Sequence, residues 1–191
     1  MTSLVFVTSG PSGSGKTTLL ENLLKAKQLK HRLIKPVSFT TRPRRPDEKD
    51  GRDYFFITER EFRQKKQEKK FLEWTRHLGY YYATSRDFLQ RHLKQGRHII
   101  LCLDLKGAFK IRKLYPKKTV LIFVMPPSLE ILKQRIQIRR CQTKKREIAQ
   151  RIKLAQKELL AAKRYDYSIL NKDLRVATGQ LKKIIINKIN A

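Results

Sequence analysis

An α/β fold, in which a parallel sheet carries helices on both faces and a small α+β insertion interrupts the core, is the class this sequence predicts. Three observations lead there. Short apolar runs at residues 4–8, 98–105 and 119–125 have the length and composition of strands buried on both faces, as parallel strands are. Stretches with apolar residues at helical spacing alternate with them, as βα units require. From about residue 36 to residue 93 the alternation gives way to aromatic-rich sequence with the marks of a hairpin.

The elements follow in order. Residues 4–8 are the first strand, and Leu19, Leu20, Leu23 and Leu24 lay one apolar face along the helix after a Gly/Ser cluster. Residues 37–41 are extended and lead into Arg42-Pro43-Arg44-Arg45-Pro46, where two prolines exclude regular helix and leave an exposed basic loop. Residues 54–57 form a strand, 59–70 a polar helix and 71–83 a hairpin turning near Gly79. Thr84 or Ser85 caps a helix that runs through Leu93 and stops at Gly96. Beyond the strands at 98–105 and 119–125, Pro126-Pro127 closes the second, and Ser128 caps a helix from Leu129 to about Arg139. Ile148, Ile152, Ala155, Leu159 and Ala162 keep one stripe on a long helix. Residues 167–170 make the last short strand and 181–189 the closing helix.

Composition narrows the class of protein. A length of 191 residues supports one domain with its own core, and 40% apolar with 9% aromatic residues is the make-up of a folded chain. The N-terminus has no basic leader, and the longest apolar runs fall well short of the roughly 20 residues of a membrane span. A soluble, cytoplasmic protein is the expectation. Cys102 and Cys141 are too far apart for a metal-ligand motif, so reduced thiols are expected. A net charge of +29, from 45 Lys+Arg against 16 Asp+Glu, attracts nucleotides, RNA or anionic lipid without choosing among them.

The chemistry enters with Gly10-Pro11-Ser12-Gly13-Ser14-Gly15-Lys16-Thr17, a complete G-x-x-x-x-G-K-[ST] phosphate loop between an expected strand and an expected helix. Its glycines let backbone N–H groups approach phosphate oxygens, and the helix N-terminus adds positive potential. Lys16 neutralises β/γ charge, and the Thr17 hydroxyl suits Mg²⁺. The core is therefore that of a P-loop NTPase, for ATP or GTP, and the loop does not name the acceptor.

Further blocks stand behind it: Val37-Ser38-Phe39-Thr40-Thr41-Arg42, Gly51-Arg52-Asp53-Tyr54, Phe71-Leu72-Glu73-Trp74 and Leu103-Asp104-Leu105-Lys106-Gly107. Together with the phosphate loop, their order and spacing resemble the guanylate kinase family of P-loop nucleoside monophosphate kinases across nearly the whole chain. The resemblance implies a transferase of purine nucleotide metabolism that moves a phosphoryl group from Mg²⁺·ATP to GMP or dGMP. It implies ATP contacts from Gly10, Pro11, Ser12, Gly13, Ser14, Gly15, Lys16, Thr17 and Thr18, with Asn171 near the adenine end. The GMP phosphate falls to Arg42, Arg45, Tyr54 and Tyr82, a set suited to a dianion. The guanine falls to Ser38, Glu73, Thr84 and Asp104. A carboxylate at Glu73 accepts from guanine N1–H and the exocyclic amine, where adenine presents an acceptor.

Phosphoryl transfer asks for positioning and charge neutralisation, not a nucleophilic side chain. Residues 135–153 supply eight Lys/Arg against one acid, Glu147, and have the composition of a lid. By resemblance Lys16, Arg135, Arg139 and Arg151 meet the transition state, and Thr17 holds Mg²⁺ through ATP. The expected organisation is one domain, with a core of about residues 1–35, 94–134 and 148–191, a GMP-binding subdomain of about 36–93 and a lid of about 135–147. Each residue also has a structural reading. The arginine run suits a solvated loop, Glu73 a surface hairpin, Asp104 a helix cap, and Tyr54 and Tyr82 a half-buried core.

The chain also departs from the family pattern. Cys102 stands where the family usually carries a second aspartate, two residues before Asp104. The lid lacks glycines around Arg139, and Arg151 lies one residue later than expected. Three alternatives remain: a catalytically silent guanylate-kinase-like interaction module, a ribose bisphosphokinase, and non-specific attraction of nucleic acid by the +29 charge.

Overall fold

The structure is a computed structural model and describes residues 3–138 and 145–191. The first half of the chain forms β1 (Val5–Ser9), α1 (Lys16–Leu24), β2 (Leu33–Ile34), β3 (Ser38–Thr40), β4 (Tyr54–Phe56), α2 (Glu59–Gln67), β5 (Phe71–His77), β6 (Tyr80–Ser85) and α3 (Arg86–Lys94). The second half forms β7 (His98–Cys102), α4 (Leu105–Leu114), β8 (Thr119–Met125), α5 (Leu129–Ile138), α6 (Lys145–Leu160), β9 (Tyr167–Leu170) and α7 (Leu174–Asn190).

Alternation along the central strands sorts apolar residues onto two cores, because successive side chains leave a strand on opposite faces. Phe6, Ile100, Val120 and Ile122 meet Leu19, Leu20 and Leu23 of α1 and Ala177, Leu181, Ile185 and Ile189 of α7 on one side. On the other, Val5, Val7, Ile99, Leu101, Leu121 and Phe123 meet Leu89 of α3 and Ala108 and Ile111 of α4. The strands between these layers run in the order β2-β7-β1-β8-β9, and every pairing is parallel. This is the parallel sheet flanked by helices that the sequence predicts.

A second sheet, ordered β4-β3-β6-β5, carries its own small core of Phe62, Phe71 and Ala83. The hairpin turns through Leu78 and Gly79, both at positive φ (49° and 87°), which is the two-residue turn whose twist suits paired strands. One irregularity decides which side chains face where. The β5–β6 register shifts between Phe71 and Glu73, so Phe71 and Trp74, three residues apart, both reach the small core while Leu72 reaches the main one.

Several boundaries differ from expectation for local reasons. The strand read from 98 to 105 stops at Cys102, because the Asp104 side chain accepts from Gly107 N at 2.8 Å and caps α4. The helix that an Asp104 cap implies begins at Leu105. Asp173 caps α7, so the closing helix begins at Leu174, not Leu181. The polar helix ends at Gln67, and Lys69 takes a positive φ of 56° two residues beyond. Of the two caps expected for α3, Thr84 or Ser85, the structure uses Ser85. Edge strand β2, two residues long, gives too short a pattern to read. No helix among the described residues is long and apolar enough to cross a membrane.

Candidate active site

The phosphate loop joins β1 to α1 at the carboxyl edge of the parallel sheet, where doubly wound α/β folds place their ligand crevice. Two close approaches shape it. Gly15 has a φ of 87°, and a methyl group there would run into the Asn171 side chain. Asn171, buried at the end of β9, donates from Nδ2 to Ser14 O at 2.8 Å and so braces the loop from behind. Gly13 backs onto Leu132 and Ile136 of α5. The Lys16 ammonium donates to Gly10 O at 2.5 Å and Pro11 O at 2.9 Å, which holds it over the loop's own backbone.

Across a cleft from this loop stands the face of the second sheet. Ser38, Tyr54, Glu73, Tyr82, Arg42 and Arg45 line that side, Gly10, Ser12, Gly13, Gly15, Lys16, Thr17 and Thr18 the other, and Cys102 and Asp104 the floor at the end of β7. Arg151 of α6 reaches in, with Nη1 donating to Ser12 Oγ at 3.3 Å. The structure thus brings most of the expected site residues to one cleft. Thr84 touches it through Glu73, and Asn171 through the loop. Arg135 lies on α5, where its Cβ neighbours Gly13. Arg139 lies outside the described residues.

Glu73 is the most constrained of these side chains. It is 2% exposed, its Oε1 accepts from the Thr84 hydroxyl at 2.6 Å, and a methyl at Gly107 would stand 3.1 Å from its Oε2. Glycine in the first turns of α4 therefore leaves room for the carboxylate. Burial pushes the Glu73 carboxyl up to about 7, the Thr84 hydrogen bond pulling the other way and the Asp104 charge adding to the rise. Asp104 serves as the cap of α4 and as a wall of the cleft at once.

Arginine placement depends on a residue the sequence reading passed over. Glu48 accepts from Arg42 Nη2 at 2.7 and 2.8 Å and from the Arg45 backbone N at 3.0 Å. One carboxylate thereby holds two guanidinium-bearing residues together in the 42–46 loop. Burial raises the Tyr54 phenol far above its ordinary value, so it is a hydrogen-bond donor at neutral pH. Its ring and that of Tyr82 meet edge to face at 6.0 Å.

Other cleft residues that the sequence did not single out are Thr75, His77, Leu78, Tyr80 and Glu158. Thr75 and His77 follow Glu73 at steps of two on β5, a signal available once the strand's facing is known. Burial pushes the His77 imidazole down, opposed by Asp104. Glu158 sits on the apolar-patterned α6 and carried no signal. Among the described residues no cluster of three His, Cys, Asp or Glu side chains converges on a metal position.

A phosphate loop on a parallel α/β sheet, facing an arginine- and carboxylate-lined wall across one cleft, defines a P-loop kinase of small anionic acceptors. Comparison with known proteins narrows this. The guanylate kinase family model matches residues 2–188. A guanylate kinase of Thermotoga maritima is 39% identical over 97% of this chain and 87% of its own length. One from Protochlamydia amoebophila is 41% identical over 95% of this chain and 89% of its own. The crystal structure of guanylate kinase from Anaplasma phagocytophilum superposes with a TM-score of 0.79 at 30% identity, covering 98% of this chain and 86% of that one. The chain belongs to the guanylate kinase family.

Proposed function

We propose that this chain transfers the γ-phosphoryl group of ATP to the phosphate of GMP or dGMP, giving ADP and GDP or dGDP. The observation that carries the reading is the buried Glu73 carboxylate, fixed by Thr84 and neighboured by Asp104, in the same cleft as an intact phosphate loop. Such a carboxylate matches the paired N–H donors on guanine's Watson–Crick edge and mismatches adenine. Arg42, Arg45, Tyr54 and Tyr82 receive the acceptor's phosphate. Backbone amides from Ser12 to Thr17 and the Lys16 ammonium receive the donor's, with Lys16 exchanging its loop carbonyls for phosphate oxygens. Arg151, which reaches the cleft beside Ser12 of the phosphate loop, would bear on the equatorial charge of the transferred group, with the residues expected in the lid, Arg135 and Arg139, as further candidates. No covalent intermediate is needed.

The donor set on the phosphate side fits Mg²⁺, which prefers oxygen ligands and retains water. The Thr17 hydroxyl would hold the ion, and the Asp104 carboxylate, which lines the same cleft, would accept from its bound water. When bound, the ion neutralises phosphate charge and orients the β- and γ-phosphates. Residues about 36–93 act as the GMP-binding unit in this reading, and about 135–147 as the lid.

The experiment is an ATP-consumption assay with Mg²⁺ and GMP, dGMP, AMP, UMP or ribose 1,5-bisphosphate as acceptor. Turnover confined to the guanine nucleotides is the expected result. Turnover of the sugar phosphate alone overturns the assignment in favour of a ribose bisphosphokinase, and ATP binding without turnover of any acceptor in favour of a silent binding module.

A further inference from the structure

Helix α6 presents two charged side chains to the cleft, Arg151 and Glu158. They are seven residues apart and so share one helical face. Glu158 is the unexpected one. It is only 5% exposed, yet it lines the cleft, and among the described residues no hydrogen bond or ion pair holds its carboxylate. Burial pushes its carboxyl up to about 7, with the Lys16 ammonium favouring the charge and the Asp104 carboxylate opposing it.

A carboxylate withdrawn from water is costly unless something pairs with it. Here the available space is the polyphosphate end of the cleft, beside Lys16. In its charged form the carboxylate finds no partner in phosphate oxygens, since anion faces anion, and Asp104 adds a second negative group to the same neighbourhood. A cation must stand between the carboxylates and the phosphates. Mg²⁺ suits this role because it keeps several of its waters, and carboxylates that accept from those waters orient it without displacing them. The strand position that the family resemblance would fill with an aspartate holds Cys102 here. Its thiol lines the same cleft without charge.

We propose that Glu158 is a positioning residue for the hydrated Mg²⁺ that accompanies the nucleotide, supplying from α6 a carboxylate that the Cys102 position on β7 does not. The inference rests on the kinase reading above. It deepens that reading by adding a residue to the metal's surroundings.

The test uses Mn²⁺, followed by electron paramagnetic resonance, titrated into the full chain with ADP and no acceptor. ADP affinity is measured with and without the metal in the wild type, Glu158→Gln and Glu158→Asp. Glu158→Gln should lower Mn²⁺ affinity by about 10- to 100-fold while metal-free ADP binds as well as before or better. Glu158→Asp keeps the charge on a shorter arm and should lose less; it carries the same test if the Gln variant does not fold. Equal Mn²⁺ affinity in wild type and variant overturns the proposal. So does an equal loss of ADP affinity with and without metal, which makes Glu158 a structural carboxylate. Because no acceptor is present, a negative result leaves the GMP kinase reading standing, and that reading fails only in the acceptor assay.

Discussion

The Thr84 hydroxyl donates a 2.6 Å hydrogen bond to Glu73 Oε1 across the β5–β6 pair, and both side chains are buried. One carboxylate oxygen is thus oriented by the protein, and the other lies against the glycine at position 107. A carboxylate so held presents a fixed acceptor edge to the cleft, which is how a site rejects a base that lacks matching donors.

Glu73→Gln should therefore lower kcat/KM for GMP by roughly 100-fold, as expected for loss of charged hydrogen bonds. The GMP/AMP ratio should fall with it. Steady-state kinetics with both acceptors check this, and an unchanged ratio would place the base pocket elsewhere.

The same carboxyl makes GMP binding pH-dependent. In the free protein burial raises Glu73 from an ordinary 4.5 to about 7. Its contribution to folding stability is thus fully present below about 4.5 and lost as pH rises through about 7. Guanine donors favour the charged form, so binding reverses the shift and releases a proton. GMP affinity should rise between pH 5.5 and 8 (roughly the span over which such a group titrates), and calorimetry in buffers of different ionisation enthalpy should show the release. The GMP phosphate titrates in the same direction, so the part that disappears in Glu73→Gln is the part belonging to Glu73.

Glu48→Gln removes the charge that joins Arg42 to Arg45. Arg42 is 7% exposed and would keep a buried guanidinium with a weaker partner. GMP binding should weaken about tenfold through lost pre-organisation, with a lower Tm. Titration calorimetry and thermal unfolding measure the two effects.

Asp104 allows its two roles to be separated. Asparagine caps a helix about as well as aspartate, whereas alanine costs ~1 kcal/mol, or about 2–4 °C in Tm for a chain of this size. Asp104→Asn and Asp104→Ala should lose GMP turnover to a similar degree, while only Asp104→Ala loses that stability. Equal melting temperatures would remove the capping role.

Leu78 occupies the left-handed region at φ 49° beside Gly79, a conformation that costs a branched side chain roughly 1–2 kcal/mol. Asparagine tolerates it and is favoured at this turn position. Leu78→Asn should raise Tm by about 2–4 °C, read by calorimetry on the free protein.

How much of this was legible in the sequence depends on whether the cause was local. The phosphate loop, the strand at 119–125 and the last strand at 167–170 could be read directly, because their patterns complete themselves within a few residues. Asp104 was legible as a helix cap, but the boundary between the strand and α4 was not, since Asp104 stops the strand only by turning its side chain onto Gly107 N. Glu48 and Glu158 gave no signal: one lay in a run of charges and the other on a patterned helix, and each acquires meaning only from groups distant in the chain or facing across a turn.

By itself, then, the sequence determined a parallel α/β core with a phosphate loop and the chemical types needed for a guanine acceptor. Tertiary structure decided which of those groups face one another. The register shift between Phe71 and Glu73 shows why. Strict alternation puts both on one face, and a single extra residue sends Phe71 to the small core while Glu73 keeps the cleft. Period-two patterning cannot reveal such a shift, because it is set by the packing of Phe71, Leu72 and Trp74 on different partners, contacts that exist only once the chain has folded.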